Sequence, residues 1–304
     1  MSKQQWADDL KKVIGDDKVK IDEPLSLHTV TRMGGRADLF CDPETEEGVQ
    51  AVVRYAHENG IPVLLLGNGS NMVVRDGGVR GIVLNLSNLN EIRFDGKSVY
   101  AESGADIKVV SRESASRGLT GFEFACGIPG SVGGAMVMNA GAYGGEIKDI
   151  IHRCTILTPE GERMVLSKEE LELGYRTSII AKKGYYVLSA EFTLEEGDQE
   201  EIDAKVADLT HQRESKQPLE FPSAGSVFKR PPGYFAGKLI QDSGLQGKGF
   251  GGAEVSTKHA GFIVNKNGAT ATDYIRTIEM VRDAVKSNFG VDLELEVKIV
   301  GEES

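Results

Sequence analysis

Cysteine is scarce in this chain: three among 304 residues, at positions 41, 126 and 154, with no CxxC pair. An odd number at wide spacing argues against a disulfide framework and against a zinc site, and it fits a reducing compartment. All three are expected to be small buried hydrophobes. Long hydrophobic runs are missing as well. No stretch approaches the ~20 apolar residues that span a bilayer, and the opening MSKQQWADDLKKVIGDD is charged where a secretory signal would be apolar. The expectation is a cytoplasmic protein without membrane insertion. Positive charge is in deficit, with 35 Lys and Arg against 46 Asp and Glu and a formal net charge of −11. Nucleic acid, which needs a basic face, is therefore not an expected partner. A small phosphorylated ligand is compatible, since one or two cations and a few backbone amides suffice for it. The five histidines show no ligand spacing, and no metal site is expected.

What is present reads as a mixture of helices and strands. A chain of 304 residues is expected to form two domains. ETEEGVQAVVRYAHENG gathers Val49, Val52, Val53 and Ala56 on one helical face, with Gly60 as its stop. IPVLLLG, NMVV, GIVLNL and GYYVLSAEFTL read as strands, and DIKVVSRESASRG as a helix opened by Asp106 and closed by Gly118. SKEELEL carries the capping-box pair Ser167 and Glu170. An acidic helix, QEEIDAKVADLTHQRES, leads to a proline-containing loop, then a short helix around AGKLIQDSG and the strand AGFIV. A long helix from Asp273 to Phe289 and a closing strand LELEVKIV complete the chain. The irregular order favours α+β over a doubly wound sheet, and the composition shift near 195–220 is the best domain boundary.

Glycine is concentrated. GIPGSVGGAMVMNAGAYGGE, residues 127–146, holds seven glycines in twenty positions. Each weakens a helix or strand by roughly 0.5–1 kcal/mol against alanine. Such a run serves either tight turns or close approach of the backbone to a ligand. A second uncharged loop, GNGSN at 67–71, lies between two strands, where successive N–H groups can form an anion nest. Other glycine patterns fail in context. GKGFGG at 247–252 follows a short helix and precedes a strand, so it is a turn rather than a dinucleotide loop. PGSVG at 129–133 is one glycine short of a nucleophile elbow, and no helix pattern follows it. Two glycine-rich loops in one half of the chain point to a large ligand held by main chain, such as a dinucleotide.

GNGSNMVVRD and the 127–146 stretch together resemble the FAD-binding fold of the vanillyl-alcohol-oxidase (PCMH) type. TRMGGRADLF at 31–40, GYRTS at 174–178, SAGSVFKRP at 223–231 and LELEVKIVG at 293–301 narrow the resemblance to the UDP-N-acetylenolpyruvoylglucosamine reductase (MurB) family, in family order from about residue 30 onward. The resemblance implies an N-terminal helix and lead-in over 1–30, a two-part FAD-binding domain over 31–198 and a smaller α+β substrate-binding domain over 199–304. It implies that FAD is contacted by Gly67, Asn68, Gly69, Ser70 and Asn71, and by Gly127, Pro129, Gly130, Ser131, Val132, Gly134, Ala135, Asn139, Gly141 and Ala142. NADPH is the implied hydride donor and UDP-N-acetylglucosamine enolpyruvate the implied substrate.

Read from the residues alone, Arg176 is a surface cation, Ser226 a turn hydroxyl and Glu296 a solvent-facing member of an alternating strand. The resemblance gives them roles. Arg176 grips the substrate carboxylate in two hydrogen bonds, Ser226 donates a proton, and Glu296 works beside Arg176. Arg213, Lys216, Arg230 and Lys238 flank the serine loop and are expected to meet the UDP group. Many members have asparagine where Arg230 stands here, together with a longer segment bearing a tyrosine flap. The run EEGDQEE at 195–201 leaves no room for that flap, which marks the shorter subclass. The rival readings are an FAD-dependent alcohol or sugar oxidase and a non-catalytic nucleotide-binding module. Oligomeric state is left open, with a monomer favoured.

Neither glycine-rich loop contains a histidine to which a flavin could be attached, so FAD is expected to be non-covalent. Acid precipitation of the purified protein should release all the yellow colour into the supernatant. Colour retained in the pellet would contradict this.

Overall fold

The chain, described over residues 2–303 of a computed structural model, divides into two compact units that interleave along the sequence. The first comprises Met1–Ile21, Asp38–Asn68 and Gly81–Arg213; the second comprises Asp22–Ala37, Gly69–Arg80 and Glu214–Ser304. The expected division at residue 198, which the resemblance implies and which lies within the composition shift near 195–220, cuts the chain at a single point. Helix Gln199–Lys216 goes with the first unit as far as Arg213, because Lys205 meets the buried Glu123 and the helix backbone lies against Cys126. Two short excursions from the N-terminal half go with the second unit, which no composition shift marks.

The first unit is built on two sheets. Five antiparallel strands follow the order Arg163–Ser167, Ile151–Leu157, Tyr186–Thr193, Ser98–Glu102, Ile92–Asp95. The other sheet has the order Val19–Pro24, Arg36–Cys41, Val79–Asn85, Val63–Leu66, with the last two strands parallel. Helix Glu46–Glu58 buries Val49, Val52, Val53 and Ala56 against Leu39, Ile82 and Leu84, as its period requires. Thr45 caps it by accepting from the Gly48 N–H at 3.1 Å. Helix Ile107–Ser116 is opened by Asp106, as expected. The Ser167–Glu170 pair forms both reciprocal bonds, at 2.8 and 3.4 Å, yet only a turn follows. Glu172 at φ +44° reverses the chain there. All three cysteines are buried, and burial pushes the Cys41 thiol up to about 12.

A further departure lies in the glycine-rich stretch. Residues Val132–Met138 form a short helix where the sequence pattern gives none. Two glycines weaken it, but Val132, Ala135 and Met136 turn into the core, and the Ser131 hydroxyl accepts from the Gly134 N–H at 3.3 Å. Burial and a cap outweigh propensity here.

The second unit places Ser223–Ser226, Phe262–Asn265, Ala253–Val255 and Gly249–Phe250 in one antiparallel sheet. The pattern GKGFGG is thus a hairpin turn, as expected. Helix Ala271–Phe289 covers the sheet with Tyr274, Ile278, Val281 and Val285. Met72–Val74 pairs in parallel with Lys298–Val300. The closing strand is therefore much shorter than the alternation of 293–300 predicts. Leu293 and Val297 are buried, but Leu295 makes only an isolated bridge to Phe228.

The start of helix Ala271–Phe289 is held from a distance. Asp76 accepts from Ala271 N–H at 2.9 Å, Thr272 N–H at 2.8 Å and Thr272 Oγ1 at 2.6 Å, while Thr270 Oγ1 accepts from Asp273 N–H at 3.1 Å. Three otherwise orphaned donors are thereby satisfied, next to the positive end of the helix. Burial alone would raise the Asp76 carboxyl; the bonds from Thr272 and Ala271 outweigh it and hold the group below its ordinary value. The resulting stability is present above the unfolded carboxylate value of about 3.9 and is lost as pH falls through the folded value. Asp76→Ala should cost about 1–2 kcal/mol at neutral pH, the scale of a lost cap, and should flatten the acid limb of the stability curve. Equal acid sensitivity in the variant, measured by urea unfolding at pH 3–7, would count against this.

Candidate functional site

In the first unit the 127–142 loop is stitched to residues 103–107 by main chain. Ile107 N–H donates to Gly130 O at 3.1 Å, Val132 N–H to Ala105 O at 2.9 Å and Gly133 N–H to Ser103 O at 2.8 Å. A Cβ at Gly133 would lie 2.0 Å from Ser103 Oγ, and one at Gly141 would lie 2.6 Å from Gly145 O. These glycines are required by the chain itself. Gly67 faces Ser131, whose Oγ would sit 2.7 Å from a Cβ there. The two loops therefore meet at Gly67 and Ser131, and the buried Asn85 holds the Leu66 and Gly67 carbonyls.

Gly134 is different. It is exposed, and a Cβ there would meet nothing closer than Ser131 Oγ at 3.5 Å, an ordinary contact. The chain gives no reason for glycine at this position, so the space fits a ligand lying against the backbone, as a dinucleotide pyrophosphate does. Gly130, at φ +137°, precedes it. Val132 and Ala135 point into the core, so of the expected contacts these two can offer only main chain. Pro129, Asn68, Ser70 and Ala142 are half-buried along the same two loops. Gly69 is a structural position, because at φ +60° its Cβ would lie 2.6 Å from His28 O and 2.8 Å from Thr29 Cα.

Arg176 lies against the glycine-rich loop. Gly174 and Thr177 exchange N–H···O bonds of 3.1 and 3.2 Å, leaving Tyr175 and Arg176 at the corner of a tight turn. Arg176 adopts φ +55°, an uncommon conformation for a residue with a side chain. Its Nη2 donates to Gly141 O at 3.1 Å, and its guanidinium lies 5.2 Å from the Tyr175 ring centroid. Ser178 Oγ donates to Val137 O at 2.8 Å, tying the far side of the turn to the short helix. Arg213 is also in this unit. Its side chain runs past Gly127, 2.6 Å from where a Cβ would be, and no carboxylate pairs with it among the described residues. Burial lowers its pKa, an effect opposed by Tyr143. Tyr143, exposed and at φ +54°, is a neighbour that sequence reasoning missed; nothing in its local pattern marks it. Asn85 was detectable as a polar residue closing the apolar run Ile82–Val83–Leu84.

In the second unit Ser226 and Glu296 sit on adjacent segments. Ser226 is exposed and pairs with Phe262 after an irregularity that includes Gly225 at φ +74°, beside which a Cβ would meet nothing within 4 Å. Val227 N–H donates to Gly261 O at 3.0 Å, and Val227 O accepts from Glu296 N–H at 2.8 Å. Glu296 is half-buried rather than solvent-facing, because the chain here leaves the alternating strand. Asn71 Nδ2 donates to Glu296 O at 3.2 Å. Of the expected cations, Lys216 is exposed, Lys238 pairs with Asp242 one helical turn on, and Arg230 lies 3.9 Å from the centroid of the exposed Phe235 ring.

Known proteins match along the whole chain. Residues 37–167 match the FAD binding domain family, and residues 217–300 match the C-terminal domain of UDP-N-acetylenolpyruvoylglucosamine reductase. The chain is 64% identical over 294 residues, 97% of each chain, to the UDP-N-acetylenolpyruvoylglucosamine reductase of Geobacillus kaustophilus. It is 58% identical over 304 residues, 100% of each chain, to that of Exiguobacterium sibiricum. The crystal structure of UDP-N-acetylenolpyruvylglucosamine reductase (MurB) from Thermus caldophilus superposes with a TM-score of 0.79 at 33% identity, covering 93% of this chain and 98% of that one.

The contrast between Gly134 and Gly69 is testable. Gly134→Leu should yield a colourless protein whose apo-form melts like the apo wild type. Gly69→Ala should lower stability by about 1–3 kcal/mol, the scale of local backbone strain. Flavin retained in Gly134→Leu, at wild-type affinity, would remove this residue from the cofactor site.

Proposed function

The chain belongs to the UDP-N-acetylenolpyruvoylglucosamine reductase family, and on that premise we propose that Arg176, Ser226 and Glu296 carry its reduction of UDP-N-acetylglucosamine enolpyruvate to UDP-N-acetylmuramate. The enzyme is an FAD-dependent oxidoreductase with NADPH as hydride donor. The oxidase alternative is not favoured, since relatives named as reductases match over nearly the full length. FAD, once reduced by NADPH, supplies the hydride. The main chain of the two glycine-rich loops holds it non-covalently, a reading supported by the room left at Gly134.

Hydride addition to the terminal carbon of the enolpyruvyl group leaves negative charge spread over the neighbouring carbon and its carboxylate. Arg176, always charged and able to bond twice to a carboxylate, stabilises that charge as it forms. Glu296 polarises the same carboxylate. Ser226 Oγ delivers its proton to the carbon next to the carboxylate. A hydroxyl is a weak acid, but the carbanion is a strong base, so transfer is feasible when the geometry is fixed. The observation that carries this assignment is the exposure of Ser226 beside open space at Gly225, with Glu296 bonded to the next residue's carbonyl. Arg213, Lys216, Arg230 and Lys238 meet the diphosphate. The half-buried guanidinium of Arg213, which pairs with no carboxylate among the described residues, gives the strongest support among them. A UDP-sugar and NADPH are cytoplasmic metabolites, and we place the enzyme there as a monomer.

Ser226→Ala should leave flavin reduction by NADPH nearly untouched and slow reoxidation by the enolpyruvyl substrate by about 10²–10⁴-fold, the usual contribution of general acid catalysis. Ser226→Cys should recover part of the loss, because a thiol is a stronger acid in a similar place. Stopped-flow traces in which both half-reactions slow equally would make Ser226 a turn residue and send the search for a proton donor elsewhere.

A further inference from the structure

Asn71 and Asn139 close the two glycine-rich loops, and both were expected to contact FAD. Their amides are committed elsewhere. Asn139 is fully buried at φ +43°; its Nδ2 donates to Glu146 Oε2 at 2.5 Å and to Gly174 O at 3.0 Å, and its Oδ1 accepts from Lys148 N–H at 2.9 Å. Both amide hydrogens are used inside the chain. Asn71 Nδ2 donates to Glu296 O, and Asn71 O accepts from Lys298 N–H at 3.1 Å.

We infer that Asn71 and Asn139 are positioning residues for the reaction: Asn139 holds the turn that presents Arg176, and Asn71 holds the backbone that presents Glu296. The inference rests on the roles assigned to those two charged residues above. Both need an external hold. Arg176 sits at the corner of a turn in a left-handed conformation, which is strained for a residue with a side chain and persists only where neighbours enforce it. The turn is fixed at its base by Asn139 on Gly174 O and by Ser178 on Val137 O. Glu296 precedes the strand Lys298–Val300 and lies outside its ladder. Its N–H is held by Val227 and its carbonyl by Asn71. The asparagine that ends each cofactor loop thus ties that loop to one charged group of the chemistry.

Two variants test this in the holoenzyme. Asn139→Gly keeps the left-handed backbone and removes the ties; Asn71→Ala removes the amide that donates to Glu296 O. Each should retain a full complement of FAD and near-normal reduction by NADPH. Reoxidation by the enolpyruvyl substrate should fall roughly 10- to 100-fold, the scale of a misplacement by about an ångström. In Asn139→Gly the loss should appear largely as a raised KM for that substrate, because the Arg176 grip on its carboxylate loosens. In Asn71→Ala the pH profile of reoxidation should move, and adding Asn71→Ala to Glu296→Gln should have little further effect, as expected for residues acting through one another. Flavin loss in proportion to activity would make the asparagines cofactor ligands and overturn the inference, as would unchanged reoxidation. If Arg176→Ala and Glu296→Gln themselves reoxidise normally, the catalytic assignment fails and the positioning claim falls with it.

Discussion

Main chain packed directly on main chain, closer than any side chain allows, is the constraint on which the cofactor side of this molecule depends. Residues 130–133 bond to residues 103–107 at 2.8–3.1 Å, and at Gly133 there is no space for even a methyl group. That contact fixes where the helix Val132–Met138 begins. The end of the helix fixes Asn139, and Asn139 in turn fixes the turn bearing Arg176. A glycine-rich segment is usually a source of freedom. At Gly133 and Gly141 the missing side chain lets another part of the chain come nearer, and the result is a path of direct contacts from the end of strand Ser98–Glu102 to a guanidinium. Gly134 alone in this helix has no such internal explanation.

The charges that matter are few and are handled individually. The overall acidity excludes a broad basic surface, so an anionic substrate must be met by single cations in selected places. Arg213 is half-buried beside Tyr143 and pairs with no carboxylate among the described residues, so part of its desolvation is uncompensated. Lys238 is spent on Asp242, and Arg230 rests on an aromatic ring. The four cations flanking the serine loop are therefore unequal.

Elements with a strong period were legible from the sequence. The helix Glu46–Glu58 shows its buried face in the spacing of Val49, Val52, Val53 and Ala56, and the strand Tyr186–Thr193 is an apolar run between turn signals. The α+β class followed from the irregular order of helices and strands, and the family from the order of short motifs. What was not legible is non-local. Helix Val132–Met138 has poor propensity and exists because its apolar side is buried. The closing segment alternates over eight residues but pairs with Met72–Val74 over only three of them, while Leu295 bridges to Phe228 instead. Asp76 reads as part of a turn, yet it caps a helix that begins 195 positions later. Asn71 and Asn139 sit inside motifs that suggest one use while their hydrogen bonds serve another. Motif membership locates a residue in the site; only the partners of its atoms tell what it does there.

Interleaving of the two units has a consequence for biosynthesis. Met72–Val74 leaves the ribosome long before Lys298–Val300, its strand partner, and Asp76 long before the helix that it caps. The first unit can complete most of its sheets once Arg213 has emerged, whereas residues 72–76 wait for nearly the whole chain to gain their strand partner and the helix start that Asp76 caps. During that interval Val73, fully buried in the finished core, lacks its packing partners. An unpaired apolar strand of this kind is a template for association with other chains, so the slowest-assembled part of the molecule is also the part most in need of protection while it is being made.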